Sequence, residues 1–440
     1  MIDSAAFQGK KAKYFTLGCK LNFSETSTFG KMLSEMGVVT ARKDEQADIC
    51  LINTCSVTDV ADHKCRQAIH RLVRENPAAF VVVTGCYAQL EPETISKIEG
   101  VDLVLGSNEK ANLIQFLSEG FVRRDNNATY RTVKTKDIKT FAPSCSRGNR
   151  TRYFLKVQDG CDYFCAYCTI PFARGRSRNP SIAECVEQVK SLAADGMKEV
   201  IISGVNIGDF GKTTGENFLQ LLEALAKVDG IERYRIGSIE PDLLTDEIIE
   251  FVASEPKMMP HFHIPLQSGC DELLKLIGRR YDTALYRRKI ELVKKLIPDT
   301  FIGIDLIVGV NGETSEMFEE TLKFVDSLDI SFIHQFQYSE RENTRALKFT
   351  PRVTSKQKQE RADVVKTVCE RKHHEFVEKN LGSVRSVLFE SAKKGGQMFG
   401  YTDNYIRVAV PYDKDLVNRI CPVKLTKVLD DDIVEAEILK

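Results

Sequence analysis

Three things are missing from this chain. It has no net charge: 62 Lys and Arg stand against 62 Asp and Glu in 440 residues. No global field therefore draws it to nucleic acid, and any RNA contact must come from local patches. It has no apolar run long enough to span a bilayer, and Met1 to Lys13 hold nothing like the apolar core of a secretion signal. The expectation is a cytoplasmic protein without a membrane partner. Disulfides are then disfavoured, because the cytosol keeps thiols reduced. What the chain does have is thirteen cysteines, with 42% hydrophobic and 28% charged residues. That composition supports packed cores, and the odd cysteine number in patterned places points to metal or cluster ligation. Scattered buried thiols are the plainer alternative.

Length allows two or three domains. Residues 11–122 alternate β-rich runs (13–17, 49–53, 81–84, 102–105) with helical patterns (24–36, 60–75, 92–98, 111–117). This alternation predicts an α/β domain with a parallel sheet. Residues 123–150 read as a basic linker or hairpin; with Arg152 they carry Arg123, Arg124, Arg131, Lys134, Lys136, Lys139, Arg147 and Arg150 against Asp125 and Asp137. Such a stretch serves equally as a solvated connector or an RNA-facing patch. Residues 151–380 repeat strand and helix six times, with strands at 153–158, 199–203, 233–237, 261–266, 301–308 and 331–338, then a connector helix at 355–380. Six units predict an open version of the β/α barrel. Residues 382–440 change to short β runs (384–390, 405–411, 423–428, 434–439) split at Gly395-Gly396, Asp403-Asn404 and 430–432. This reads as a small all-β barrel of the oligonucleotide-binding kind. Its nine Lys and Arg equal its nine Asp and Glu, so its composition does not mark it as an RNA binder.

Directly after the first barrel strand comes Gly160-Cys161-Asp162-Tyr163-Phe164-Cys165-Ala166-Tyr167-Cys168. A four-iron cluster takes one ligand per iron. Three cysteines leave one iron open to a small molecule, as catalytic metal sites do. A zinc site missing its fourth ligand, or cysteines that fall in one loop by coincidence, are the alternatives. The spacing, with Tyr167 before the last cysteine, resembles the signature of the radical S-adenosylmethionine (SAM) superfamily. That resemblance implies that SAM chelates the open iron and is cleaved to a 5′-deoxyadenosyl radical. Later strand ends supply candidates for holding SAM: Gly204 and Asn206 after the second, Ser238 and Glu240 after the third, Gln267 after the fourth. Barrels place chemistry at these ends, although a Ser or Asn there is often only a cap or turn residue.

Cys19, Cys55 and Cys86 are far apart in sequence, yet each falls just beyond a predicted strand. In a parallel sheet such positions converge at one edge. Three thiolates there would hold a second cluster with one open iron; three small residues filling tight turns is the alternative. Cys50 lies within a strand and Cys65 within a helix, so both read as packing residues.

Taken together, these cysteine contexts and Pro171-Phe172-Ala173-Arg174-Gly175-Arg176-Ser177-Arg178 resemble the methylthiotransferase family of radical SAM enzymes over nearly the whole chain. The stretch from Gly382 is similar to that family's RNA-binding TRAM domain. Leu17-Gly18-Cys19-Lys20-Leu21-Asn22 and the segment 204–208 most resemble the bacterial branch acting on N6-threonylcarbamoyladenosine next to the tRNA anticodon. Other branches act on isopentenyladenosine or on a ribosomal-protein aspartate. Outside the class, a non-catalytic iron–sulfur RNA-binding protein is the rival reading.

The resemblance implies two 4Fe-4S clusters, at Cys19/Cys55/Cys86 and Cys161/Cys165/Cys168, with SAM and an external electron donor. One SAM methylates a sulfur held at the first cluster. Another, cleaved at the second, yields the radical that removes hydrogen from carbon 2 of the adenine in the anticodon loop. That bond has no acidic proton for a base to take, so a cofactor must do the hard step. Arg174, Arg176 and Arg178 are candidates for RNA phosphate contacts or plain surface arginines. Arg279, Arg280, Arg287 and Arg288 form a second cationic group expected on a helix. Where the family has Phe-Pro after the fifth strand, this chain has Val310-Asn311, and loss of the proline is expected to loosen the turn.

Overall fold

The computed structural model describes residues 5–121, 128–146 and 151–439. Arg123, Arg124, Arg147 and Arg150 of the basic segment lie outside the described residues. Six strands form the first sheet: β1 (Lys11–Thr16), β2 (Val39–Thr40), β3 (Ile49–Thr54), β4 (Phe80–Gly85), β5 (Leu103–Leu105) and β6 (Thr129–Arg131). All run parallel, in the order β2-β1-β3-β4-β5-β6. β3 and β4 are buried at every residue, as central strands covered by helices on both faces must be. That is why their sequences are apolar runs rather than alternations. β6 falls in the stretch expected as a linker and completes the sheet edge instead.

The next six strands are β7 (Arg152–Lys156), β8 (Glu199–Ser203), β9 (Arg233–Ile236), β10 (His261–His263), β11 (Phe301–Val308) and β12 (Phe332–Gln337). They pair in parallel as two triplets, β7-β8-β9 and β10-β11-β12. Single bridges between Tyr234 and Met258 and between Ser238 and His263 join the triplets. The result is an open, six-stranded β/α barrel. Its core interlocks apolar strand residues such as Val200, Ile202, Ile236 and Ile304 with Leu221, Leu225, Ile249 and Ile290 from the surrounding helices.

Helix Ser355–Lys379 buries Ala362, Val365, Cys369 and Phe376 along one side. The chain then closes a barrel from β13 (Val384–Lys394), β14 (Gln397–Thr402), β15 (Arg407–Pro411), β16 (Ile420–Val428) and β17 (Val434–Ile438). This barrel docks on the N-terminal ends of β9 to β11. Arg235 gives its two Nη groups to the carbonyls of Thr402 and Asp403, both at 2.7 Å, and its Nε to Glu199 at 2.9 Å. His261 lies between Phe301 and Tyr405. The opposite, C-terminal ends of the strands therefore stay free for chemistry. Among the described residues no helix is long and apolar enough to cross a membrane.

Candidate active site

The three N-terminal cysteines meet because the ends of β1, β3 and β4 are tied together. Asn22 donates from Nδ2 to the carbonyls of Leu17 (2.8 Å) and Thr54 (2.9 Å). The Thr54 hydroxyl reaches the carbonyl of Thr84 at 2.6 Å. Two glycines make the turns possible. Gly18, just before Cys19, has φ +104°, and a Cβ there would fall 2.9 Å from Cys55 Sγ. Gly85, just before Cys86, has φ +108°, and a Cβ would fall 2.2 Å from the Thr54 carbonyl oxygen. Only glycine fits both the positive φ and the close approach. Burial pushes the Cys55 thiol up to about 12, and the nearby charges of Cys86 and Cys19 push the same way.

The second triad sits on the loop after β7. Cys168 N–H donates to the Cys165 carbonyl at 3.0 Å, and Tyr163 N–H to Cys161 Sγ at 3.5 Å. Arg279 Nη1 donates to Cys165 Sγ at 3.2 Å while Nη2 pairs with Glu240. Burial lifts the Cys161 thiol to about 12. It also lifts Cys168, with Cys165 adding to the effect. Thiols held protonated this way give up their protons when metal binds. Glu240 is raised to about 7 by burial, against the pull of Arg279 and with the push of Asp242 and Asp305.

The triads adjoin. Thr169, following Cys168, donates to the carbonyl of Ser56, following Cys55. Beside this contact opens a cavity of about 300 Å3 lined by Val57 and Thr58 from the loop after Cys55 and by Tyr167, Cys168, Gln267, Asp305 and Ile307, among others; of the six triad cysteines, Cys168 alone lines it. Among the described residues no group of three or more His, Cys, Asp or Glu is arranged to hold one metal ion.

Residues 11–106 match the Uncharacterized protein family UPF0004, residues 155–325 the Radical SAM superfamily and residues 378–439 the TRAM domain. The Threonylcarbamoyladenosine tRNA methylthiotransferase MtaB of Aquifex aeolicus (strain VF5) is 36% identical over 400 residues, covering 90% of this chain and 96% of that protein. The chain belongs to the tRNA methylthiotransferase family of radical SAM enzymes. The MtaB of Bacillus subtilis (strain 168) is 35% identical across 94% of this chain and 93% of its own length. The tRNA-2-methylthio-N(6)-dimethylallyladenosine synthase of Clostridium botulinum (strain Okra / Type B1) is 31% identical across 96% of each. The fold is similar to that of the radical SAM methyltransferase TsrM from Kitasatospora setae, at 16% identity and a TM-score of 0.54 over 74% of this chain and 75% of that one. Methylthiotransferases of this class work with SAM and two 4Fe-4S clusters, and their substrate is tRNA.

The residues at hand fit such groups. Asn206, 2% exposed, has both amide atoms without a hydrogen-bond partner among the described residues, and buried Gln267 Oε1 is equally unpaired. Buried polar atoms left open are costly unless a ligand completes them. Tyr167 and Gln267 line the cavity. Ser238 spends its backbone joining β9 to β10. The space beside Gly204 is filled by Ile207 and Gln158, so the missing side chain serves packing inside the protein rather than an open approach.

The arginine expectations need correction. Arg174 and Arg178 are 1% and 5% exposed and cannot meet a phosphate at the surface. Arg174 is held by Cys86, Glu25, Asp159 and Asn22; Arg178 by Asp159 and the carbonyls of Thr140, Arg174 and Arg176. Only Arg176 is exposed, over the Phe164 ring and 3.5 Å from Asp162. Arg279 and Arg280 lie between helices Asp271–Ile277 and Thr283–Leu296 rather than on one. Arg287 and Arg288 are surface residues on the second helix, bonded to Ser327 and Asp246. The Val310-Asn311 turn is not loose: Val310 is buried and Asn311 Nδ2 donates to Glu340 at 2.9 Å. Glu25, Lys110 and Asp159, which organise the interface, carry no local motif that singles them out.

Proposed function

We propose that this chain inserts a methylthio group at carbon 2 of N6-threonylcarbamoyladenosine in the anticodon loop of cytoplasmic tRNA. In this reading Cys19, Cys55 and Cys86 hold one cluster, and Cys161, Cys165 and Cys168 hold the other. The observation that carries it is the contact between Thr169 and Ser56 beside a cavity lined by residues of both cysteine loops. When bound, SAM and the clusters supply the radical for the carbon–hydrogen bond and the methylthio group that replaces hydrogen, with electrons from an external donor. The chain's own residues do the rest. Asn206, Glu240 and Gln267 bind SAM; Tyr167 walls the cavity against water, and Arg279 orients Glu240 and Cys165. The base must leave its stack to enter, which a single-stranded loop allows more readily than a duplex. Arg176 meets the RNA phosphates near the mouth. The choice of base rests on the MtaB relatives and on the motif around Cys19. Incubating reconstituted protein with SAM, a reductant and tRNA carrying either threonylcarbamoyladenosine or isopentenyladenosine tests it. Product on the first supports the reading; product only on the second, or only on a ribosomal protein, overturns it.

A further inference from the structure

Six ionisable side chains are buried together between the first sheet and the open barrel: Glu25, Lys110, Lys156, Asp159, Arg174 and Arg178, none more than 5% exposed. Lys110 pairs with Glu25 at 2.6 Å, and Lys156 bridges Glu25 at 3.3 Å and Asp159 at 2.9 Å. Arg174 reaches the same two carboxylates at 3.0 Å each, and Arg178 reaches Asp159 at 3.2 Å. Four cations thus meet two carboxylates, and among the described residues no other carboxylate pairs with them. Buried charge is costly unless an opposite charge offsets it.

The surplus has a direction. Arg174 turns Nε–H toward Cys86 Sγ at 3.3 Å. Its Nη2 donates at 2.7 Å to Asn22 Oδ1, which itself stands 3.9 Å from Cys19 Sγ. We infer that Arg174 is a positioning residue of the N-terminal cluster site, through its N–H···S contact with Cys86 and the buried positive charge around it. The surplus offsets the anionic thiolates of Cys19, Cys55 and Cys86. Hydrogen bonds to ligand sulfur and nearby positive charge both favour the reduced form of a cluster, so Arg174 raises the reduction potential of the group held there. Because Arg174 follows the Cys161–Cys168 loop in sequence, the loop of one triad sets the electrostatics of the other. This inference rests on the ligand assignment proposed above.

The test uses the full-length chain with Cys161, Cys165 and Cys168 replaced by Ala, so that only the N-terminal triad can bind iron. The protein is reconstituted anaerobically, its iron counted, and its cluster titrated electrochemically with electron paramagnetic resonance as readout. Arg174→Gln is paired with Glu25→Gln so that the net buried charge is unchanged. Lys156→Gln with Glu25→Gln is the control: it breaks the same network but leaves Arg174 on Cys86. The expected result is a lower midpoint potential and an altered resonance signal in the Arg174→Gln pair, a smaller shift in Arg174→Lys, and values near the parent in the control. Parent-like potentials in both Arg174 variants, or an equal shift in the control, would overturn the inference. A parent that binds no iron would instead refute the ligand assignment.

Discussion

Thr169 donates its hydroxyl proton to the carbonyl oxygen of Ser56 at 3.3 Å, and each residue directly follows a cysteine of a different triad. The two loops are therefore registered against each other by one side chain. Thr169→Val keeps the shape and removes the donor. It should cost about 1 kcal/mol of stability, slow methylthio transfer, and leave reductive SAM cleavage intact. Thermal melts and parallel assays of 5′-deoxyadenosine and modified nucleoside check this.

The triads should separate chemically. Reconstituted protein should carry about eight irons per chain if each triad holds a four-iron cluster. Replacing Cys161, Cys165 and Cys168 by Ala should abolish SAM cleavage. Replacing Cys19, Cys55 and Cys86 should leave cleavage and abolish methylthiolation, each change removing about half the iron. Cleavage that survives the first replacement would reverse the assignment of roles.

Asn206 offers a donor and an acceptor that no described residue takes up. Asn206→Ala should raise the KM for SAM by roughly ten- to a hundredfold, the range of one or two lost hydrogen bonds to a charged ligand, with a smaller change in kcat. Initial rates of SAM cleavage against SAM concentration measure the split. An unchanged KM would remove Asn206 from the SAM site.

Arg176 is the one exposed member of the Arg174/Arg176/Arg178 group. Arg176→Gln should weaken tRNA binding and reduce the slope of log affinity against log salt by about one, as loss of a single phosphate contact does. Filter binding at several salt concentrations reads both. Arg178→Gln should instead lower the melting temperature, since it takes the donor from the carbonyls of Thr140, Arg174 and Arg176, and a buried acceptor left unsatisfied costs ~1–3 kcal/mol.

His261 sets a pH dependence at the other end of the barrel. Burial, followed by the charge of Arg235, holds its pKa well below the ordinary value. Arg233 and Glu199 lie beside Arg235 on the same floor, and Tyr405 and Phe301 pack on the ring. The folded state keeps the imidazole neutral, while the unfolded chain takes up a proton below about pH 6.5. Stability is therefore full above that pH and falls as the solution is acidified through it. Melting temperatures at pH 7.5 and pH 5.5 should differ less in His261→Phe than in the parent.

Much of this was legible in the sequence. β8 and β11 lie where the apolar runs place them, because buried parallel strands advertise themselves by composition. β2 and β14 carry no such signature. β2 is two exposed residues long. β14 contains Gly400, which a strand reading counts as a breaker, yet a Cβ there would meet the Leu388 backbone at 2.6 Å. The cysteines were legible because loop position after a strand predicts convergence. Arg174 was not. Its burial depends on Glu25 and Asn22, some 150 residues away, and nothing local distinguishes it from an arginine that meets phosphate.

The most direct measurement is mass spectrometry of nucleosides from tRNA that carries threonylcarbamoyladenosine but no methylthio group, before and after incubation with the reconstituted protein, SAM and a reductant. The account predicts conversion of threonylcarbamoyladenosine to its 2-methylthio form, lost when either cysteine triad is replaced. Unmodified threonylcarbamoyladenosine beside methylthiolated isopentenyladenosine, or conversion that survives loss of the Cys19/Cys55/Cys86 triad, would contradict it.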